Sequence, residues 1–250
     1  MENTLSIQYE CVPETGSPNT DLLNRAKKAI LSAIVVRRAI NQTNARGTRG
    51  RHWDGGDHCL MFSVAVPIGR DLREISGVTL AIGTEVAESL RKQGVKAEVK
   101  WPNDILLNGK KLAGILVETT KSPDHRFVLV VGIGLNLKDG LRDDGYGRAC
   151  LADALPVSDI EKTEFWLKLL SSAVVFAINN VRSEGLKRTQ ALWDTIAAYK
   201  NQTVSVLEEG CEPYDALVLG IDETGHLLVR TNQEIKVLQS GSISIRSKKK

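Results

Sequence analysis

Between Gln42 and Trp53 the chain reads Gln-Thr-Asn-Ala-Arg-Gly-Thr-Arg-Gly-Arg-His-Trp, so that Arg46, Arg49 and Arg51 alternate with Gly47 and Gly50. A guanidinium presents a fixed fork of donors that suits phosphate or carboxylate oxygens. Glycine lets the backbone take φ > 0 and bring its N–H groups close to a ligand. The indole of Trp53 adds a flat face on which a base can stack. Together these describe a flexible anion clamp, for which a polyphosphate nucleotide is a reasonable guest. On residue types alone, a nucleic-acid contact and a solvated basic loop stand equally open beside it. No standard phosphate motif matches: Gly-x-x-x-x-Gly-Lys-Ser/Thr is absent, and Gly132-Ile133-Gly134 lacks the third glycine of a dinucleotide fingerprint.

Charge distribution supports an anionic guest. Net charge is only +3, too small to demand a nucleic-acid partner, yet Arg25 to Arg51 holds eight basic residues and no Asp or Glu. Such a local field would gather anions around the loop. The scattered Cys11, Cys59, Cys150 and Cys211 form no Cys-x-x-Cys pair, which argues against a zinc site or a disulfide framework and for a reducing compartment. Neither a secretory signal nor a run of about 20 apolar residues is present, so a cytoplasmic location is expected.

The elements that must position this chemistry are legible from periodicity. A helix is expected from near Asp21, capped by Asn19 or Thr20, with Ser17 and Asn19 just ahead of it as plain capping residues or as ligand contacts. Ala33–Ile40 and Leu60–Val66 read as strands, and Ile75–Gly94 as a helix closed by Gly94. Val95–Trp101 alternates as a half-buried strand whose Lys100 faces solvent, and Pro102 stops it just before Asn103 and Asp104. Asn108-Gly109 between apolar runs is a strong hairpin signal. In the strand Phe127–Leu137, Gly132 and Gly134 share one face, which implies either a tightly packed neighbour or a flat ligand lying against it.

Residues 139–151 read as a Gly- and Asp-rich loop, and Ser158 to Glu161 as a capping box opening one helix to Gly185 with Trp166 and Phe176 on its buried face. A further helix carries Trp193. From Asn201 onward the texture changes to five short alternating segments, which suggests a small barrel. At 250 residues, one medium and one small domain fit: 1–200 as a catalytic domain and 201–250 as the barrel.

Four stretches in order, Arg46–Trp53, Lys100-Trp-Pro-Asn-Asp104, Lys111–Glu118 and Val131–Asn136, together with the C-terminal barrel, resemble the biotin protein ligases over almost the whole chain. That resemblance implies an α+β fold: a mixed sheet packed against helices, as in the class II synthetase-like biotin/lipoate ligase domain, plus a small SH3-like β-barrel. It implies ATP and biotin as substrates, Mg2+ with the phosphates, and a biotin-carrier domain of a carboxylase as partner. Biotin would be activated as biotinoyl-5′-AMP and transferred to a carrier lysine. Carried over by motif position, Lys111, Asp104 and Arg46 are catalytic, and Asp104 lies near the metal. Ser17, Asn19, Gln42, Gly114, Gly132 and Gly134 contact biotin. Arg46, Gly47, Arg49, Gly50, Arg51, Trp53, Lys100, Asn103, Lys111 and Asn136 hold the nucleotide or adenylate. Fixed positive charge is what such chemistry requires: at an effective dielectric near 20, one lysine ~4 Å from a phosphoryl oxygen supplies roughly 4 kcal/mol.

Lipoate ligases, which share the fold and the acyl-adenylate chemistry, are the nearest competing reading. A catalytically weak binding relative is a second alternative, and a DNA-binding regulator is the reading from another class; with so short a segment before Ser17, no helix-turn-helix is expected. Membrane association is not expected, and oligomeric state stays open, with a homodimer among the options. The chain departs from the family pattern at Thr48, usually a second arginine, at Ala45, usually glycine, at Pro18, usually threonine, and at Ser242, near a usual glutamate beside Arg246. Thr48 removes one guanidinium from the clamp, so Thr48→Arg is expected to slow release of labelled adenylate. Identical off-rates for the two proteins would reject that idea.

Overall fold

The computed structural model describes residues 5–51, 53, 58–139, 147–232, 234–241 and 243–247, with Arg49 described by its backbone alone. The Arg49 guanidinium, His52, residues 140–146 of the Gly/Asp-rich segment, Ser242 and Lys248–Lys250 lie outside that description. Strands β1 (Ile7–Thr15), β2 (Ile34–Gln42), β3 (Cys59–Pro67), β4 (Ala97–Lys100), β5 (Asp104–Leu107), β6 (Lys110–Lys121) and β7 (Phe127–Asn136) form one seven-stranded sheet ordered β1-β2-β3-β7-β6-β5-β4. Only β1 and β2 run parallel; every other neighbour is antiparallel.

Helix α1 (Pro18–Lys28) covers one face of this sheet, and α2 (Val78–Lys92), α4 (Thr163–Glu184) and α5 (Lys187–Ile196) lie on the other, with the short α3 (Val157–Ile160) ahead of α4. The pleat decides which residues meet which layer. Along β7, Leu129, Val131, Ile133 and Leu135 enter the main core under α2 and α4, whereas Val128 and Val130 pack under Leu22 and Ala26 of α1. Next along that second face come Gly132 and Gly134, which only the first turn of α1, through Asn19 on Gly132, reaches. The face is therefore filled at one end and left without side chains at the other.

Several boundaries differ from expectation for local reasons. Helix α1 begins at Pro18 rather than Asp21, with Ser17 as N-cap. A proline at the first helical position carries its fixed φ at no hydrogen-bond cost, so Pro18 starts the helix and Asn19 falls inside its first turn. Expected as one helix from Ser158, the segment is two, broken at Glu161 and Lys162; Pro156 is the first N-cap, without a side-chain cap, so no Ser158 capping box forms. Phe176 is 48% exposed, not buried, and the Arg188 guanidinium lies 5.3 Å from its ring centroid. In the helix that was expected from Ile75, a 3-10 turn over Leu72–Ile75 comes first, and α2 proper starts after Gly77.

Strands β8 (Thr203–Glu208), β9 (Tyr214–Ile221), β10 (Leu227–Arg230), β11 (Ile235–Leu238) and β12 (Ile243–Ser247) form a second, antiparallel sheet ordered β11-β10-β9-β8-β12, in the five places the alternation marked. Its β9–β10 turn rests on the larger unit. There the Trp101 Nε1–H donates to the Gly225 carbonyl at 3.0 Å, and the backbone of Gly77 lies against Gly225 and Thr224. No helix among the described residues is long and apolar enough to cross a membrane.

Gly77 is thus constrained twice. Its φ is +71°, and an added Cβ would stand 2.8 Å from the Thr224 carbonyl oxygen. Gly94, with φ +88° and nothing within 4 Å, carries the backbone constraint alone. Gly94→Ala is expected to cost about 1 kcal/mol and Gly77→Ala about 2–4 kcal/mol, the excess being overpacking at the turn. Urea unfolding of the two variants checks the difference, and equal midpoints would contradict the packed contact.

Candidate active site

The side-chain-free end of the sheet opens into a cavity of about 1140 Å³ that runs from Ser17, Asn19 and Gln42, past Trp53 and Lys111, to Ser244 and Arg246 of the second sheet. Its centre is built by the β5–β6 hairpin. Asn108 and Gly109 take φ of 51° and 75°, the two left-handed positions of a tight hairpin turn, which is why Asn-Gly stands there. A register shift follows: Ile105 pairs with Ala113 while Leu106 pairs with Lys111, so Leu112 is an extra residue in β6. Strict alternation would send Lys111 and Gly114 to opposite faces. The bulge turns them to the same one, and a Cβ on Gly114 would stand 3.3 Å from Lys111 Nζ.

There the Lys111 ammonium meets Asp104 Oδ1 at 2.6 Å, while Lys100 reaches Asp104 Oδ2 at 3.0 Å. Two cations on one anion leave a net positive charge at the cavity floor. Burial would push the Asp104 carboxyl up, but the charges and hydrogen bonds of Lys111 and Lys100 outweigh it and hold the group below its ordinary 3.8. Lys100 was expected to face solvent; the ion pair holds it in the site instead, its side chain 21% exposed.

The sequence-derived residues mostly gather here, yet several do different work. Gly114 and Gly134 are cross-strand partners, and the indole of Trp53 lies on both: an added Cβ would stand 2.8 Å from Trp53 Cζ3 at Gly114 and 2.5 Å from Trp53 Cε2 at Gly134. In this structure the space that side chains would take there is occupied by Trp53. Gly132 likewise accommodates the Asn19 carboxamide, whose Oδ1 would be 2.6 Å from an added Cβ. Trp53 in turn has Lys111 Nζ 5.1 Å from its ring centroid, and its Nε1–H is buried with no acceptor among the described residues.

Asn103 and Asn136 line the cavity and also brace its backbone. The Asn103 Nδ2–H donates to the Ile115 carbonyl at 2.8 Å. Asn136 donates to the carbonyls of Lys111 and Ala149, at 3.1 and 2.9 Å, which fixes the backbone that carries the lysine. Gly50, at φ +68°, serves the turn over Thr48–Gly50 and does not line the cavity, whereas Gly47 and Arg51 do. For Asp104 as a metal ligand the fit is poor: each of its oxygens already faces an ammonium, and no group of three His, Cys, Asp or Glu able to hold a metal occurs among the described residues.

The basic field is also weaker than the sequence implied. Arg25 and Arg37 are paired with Glu10, Arg37 also with Asp21, and Arg46 with Glu118. Glu118 and Ser63 were not singled out beforehand. Ser63, whose hydroxyl donates to Asn19 Oδ1, is the lone polar residue in the apolar run of β3, a signal that could have found it. Glu118 gave no such sign, because its partners are remote in sequence.

Residues 11–136 match the profile of the biotin/lipoate A/B protein ligase family, and residues 200–246 match the biotin protein ligase C terminal domain. The bifunctional ligase/repressor BirA of Escherichia coli is 31% identical over 246 residues, covering 96% of this chain and 74% of that one. A biotin–[acetyl-CoA-carboxylase] ligase of Paracoccus denitrificans is 29% identical over 231 residues, covering 86% and 91%. Among solved structures, the biotin protein ligase of Aquifex aeolicus in complex with biotin and ATP superposes with a TM-score of 0.77 at 22% identity, covering 97% and 99%, which speaks to the fold.

With a folded-state pKa below the unfolded one, the Asp104 carboxylate contributes its full stability above the unfolded value and loses it as pH falls through the folded one. Asp104→Asn is expected to cost about 1–3 kcal/mol near neutral pH, a deficit that narrows below about pH 4. Urea titrations of both proteins across that range check it; a deficit independent of pH would contradict the ion triad.

Proposed function

The chain belongs to the biotin/lipoate A/B protein ligase family, and we propose that it joins biotin to a lysine of a carboxylase's biotin-carrier domain at the expense of ATP, through biotinoyl-5′-AMP. A carboxylate oxygen of biotin attacks the α-phosphorus and pyrophosphate leaves. The uncharged ε-amine of the carrier lysine then attacks the acyl carbon, AMP leaves, and the amide nitrogen gives up its proton. The observation that carries the reading is Lys111, held at the cavity floor between Asp104 and Trp53 with net positive charge around it. A carboxylate approaching a phosphate brings anion against anion, and a cation fixed in advance lowers that barrier without reorganising during the step. Biotin rather than lipoate is favoured by the match of residues 200–246 to the C terminal domain of biotin protein ligases.

The residues divide the work along the cavity. Ser17, Asn19 and Gln42, with Ser63 behind them, make the polar end that takes biotin's ureido ring. Trp53 offers its remaining face to adenine and its Nε1–H to a ligand acceptor. Arg51 and the second-sheet Arg246 line the phosphate end. With its pKa held low, Asp104 is a weak base; it keeps Lys111 charged and placed. Mg2+ enters on the phosphates of ATP, as a hard cation bound largely by substrate oxygens. Residues 1–200 form the catalytic unit and 201–250 the smaller one.

Lys111→Ala is expected to abolish biotin-dependent adenylate formation while leaving the circular dichroism spectrum unchanged. Incubation with biotin, magnesium ATP and a carrier domain, followed by mass measurement of the carrier, reads it. Biotinylation by the variant at near wild-type rate would remove Lys111 from its role, and lipoylation in place of biotinylation by the wild type would overturn the substrate.

A further inference from the structure

Glu118 stands on β6 two places beyond Leu116 and four beyond Gly114, on the cavity side of the pleat opposite Val130. Its carboxylate reaches two other elements at once. Oε1 meets Arg46 Nη1 at 3.0 Å. Oε2 accepts from Arg46 Nη2 at 3.1 Å and from Asn19 Nδ2 at 2.9 Å. The Arg46 fork also reaches Thr20 Oγ1 at 3.3 Å, and the Asn19 carboxamide is completed by Ser63 on its oxygen side. Arg46 is thus held by one N–H···O bond to Oε2 and by a second ion contact to Oε1, so that both carboxylate oxygens face the guanidinium.

We propose that Glu118 is a positioning residue: it latches the Gln42–Trp53 segment to the sheet through Arg46 and orients Asn19 at the biotin end of the cavity. The inference rests on the reading of that end as the biotin site. Around the latch the backbone is also tied, by Thr43 N–H to the Thr15 carbonyl at 3.0 Å and by Trp53 N–H to the Ala45 carbonyl at 3.0 Å. Those bonds shape the loop's entry and exit. Glu118 alone carries both oxygens of a strand residue to the loop and to α1, so closing the loop and setting the amide are one event. A guanidinium serving phosphate alone would have no need of such a partner; paired with Glu118, Arg46 contributes closure, and Lys100 and Lys111, two cations on the one Asp104 carboxylate, supply the net positive charge.

Two readouts separate the latch from general damage: trypsin cleavage after Arg51 in the ligand-free protein, and biotin-dependent pyrophosphate exchange. Glu118→Ala is expected to raise both the cleavage rate and the KM for biotin roughly ten- to hundredfold, with kcat and the KM for ATP changed less than about threefold. Glu118→Gln, which keeps an acceptor for Asn19, should show a smaller rise in the KM for biotin. In an Arg46→Ala background, Glu118→Ala should accelerate cleavage by less than about threefold, because the partner is already gone. Unchanged cleavage, or equal rises in the KM for biotin and for ATP with a fall in kcat, would overturn the proposal. Accelerated cleavage in a protein whose wild type shows no biotin-dependent exchange would sustain the latch and overturn the biotin reading instead.

Discussion

One carboxylate shared by two ammonium groups sets the terms for everything around it. Asp104 holds Lys111 and Lys100 because β4, β5 and β6 are adjacent and the bulge at Leu112 puts Lys111, not Leu112, opposite Leu106. Lys100 and Asp104 are paired across β4 and β5, and Leu112 shifts Lys111 onto their face. In a regular register, with Leu112 opposite Leu106, the Lys111 ammonium would point into the hydrophobic core, where a lone charge costs far more than any hairpin could return. The bulge is thus the backbone device that turns an ordinary hairpin into a charged floor.

The cavity above that floor exists by omission. Helix α1 packs its apolar stripe on the near half of the sheet and reaches the far half only with its first turn, where the β7 positions on that face are glycines, as is Gly114 beside them on β6. At two of them the space is taken back by an indole, and at the third by a carboxamide. The wall is therefore made by side chains arriving from the loop and from the helix start, with the sheet as a smooth backing. Such a construction keeps the rigid element behind and places the adaptable groups in front, which suits a site that must accept, convert and release.

Charge is handled in the same economical way. Three of the guanidiniums in the basic run, those of Arg25, Arg37 and Arg46, are already matched to carboxylates of β1, α1 and β6. At the cavity floor Lys100 and Lys111 share the single carboxylate of Asp104, so one net positive charge is fixed at that point. The smaller sheet reaches that point from the other side, through the Trp101 hydrogen bond to Gly225 and through residues of β12 that line the same cavity. Trp101 lies between Lys100 and Asp104 in sequence, so the contact that seats the second sheet also braces the ion triad.

Much of this was written locally. Alternation marked all five strands of the second sheet, Asn108-Gly109 marked the hairpin, and the four motif stretches pointed to one site and one family, because such signals depend on residues within a few positions of one another. What the chain could not state alone were partnerships across it. Nothing adjacent to Glu118 speaks of Arg46, 72 residues away, or of Asn19, 99 residues away. Two same-face glycines could announce a close approach but not that Trp53 and Asn19 make it. A basic run without acids read as a field until packing brought Glu10, Asp21 and Glu118 against it. The sequence by itself determined most of the elements and the chemistry available; the tertiary structure decided the faces of Phe176, Lys100 and Lys111 and which charges pair, since pairing energies fall with distance in space and take no account of distance along the chain.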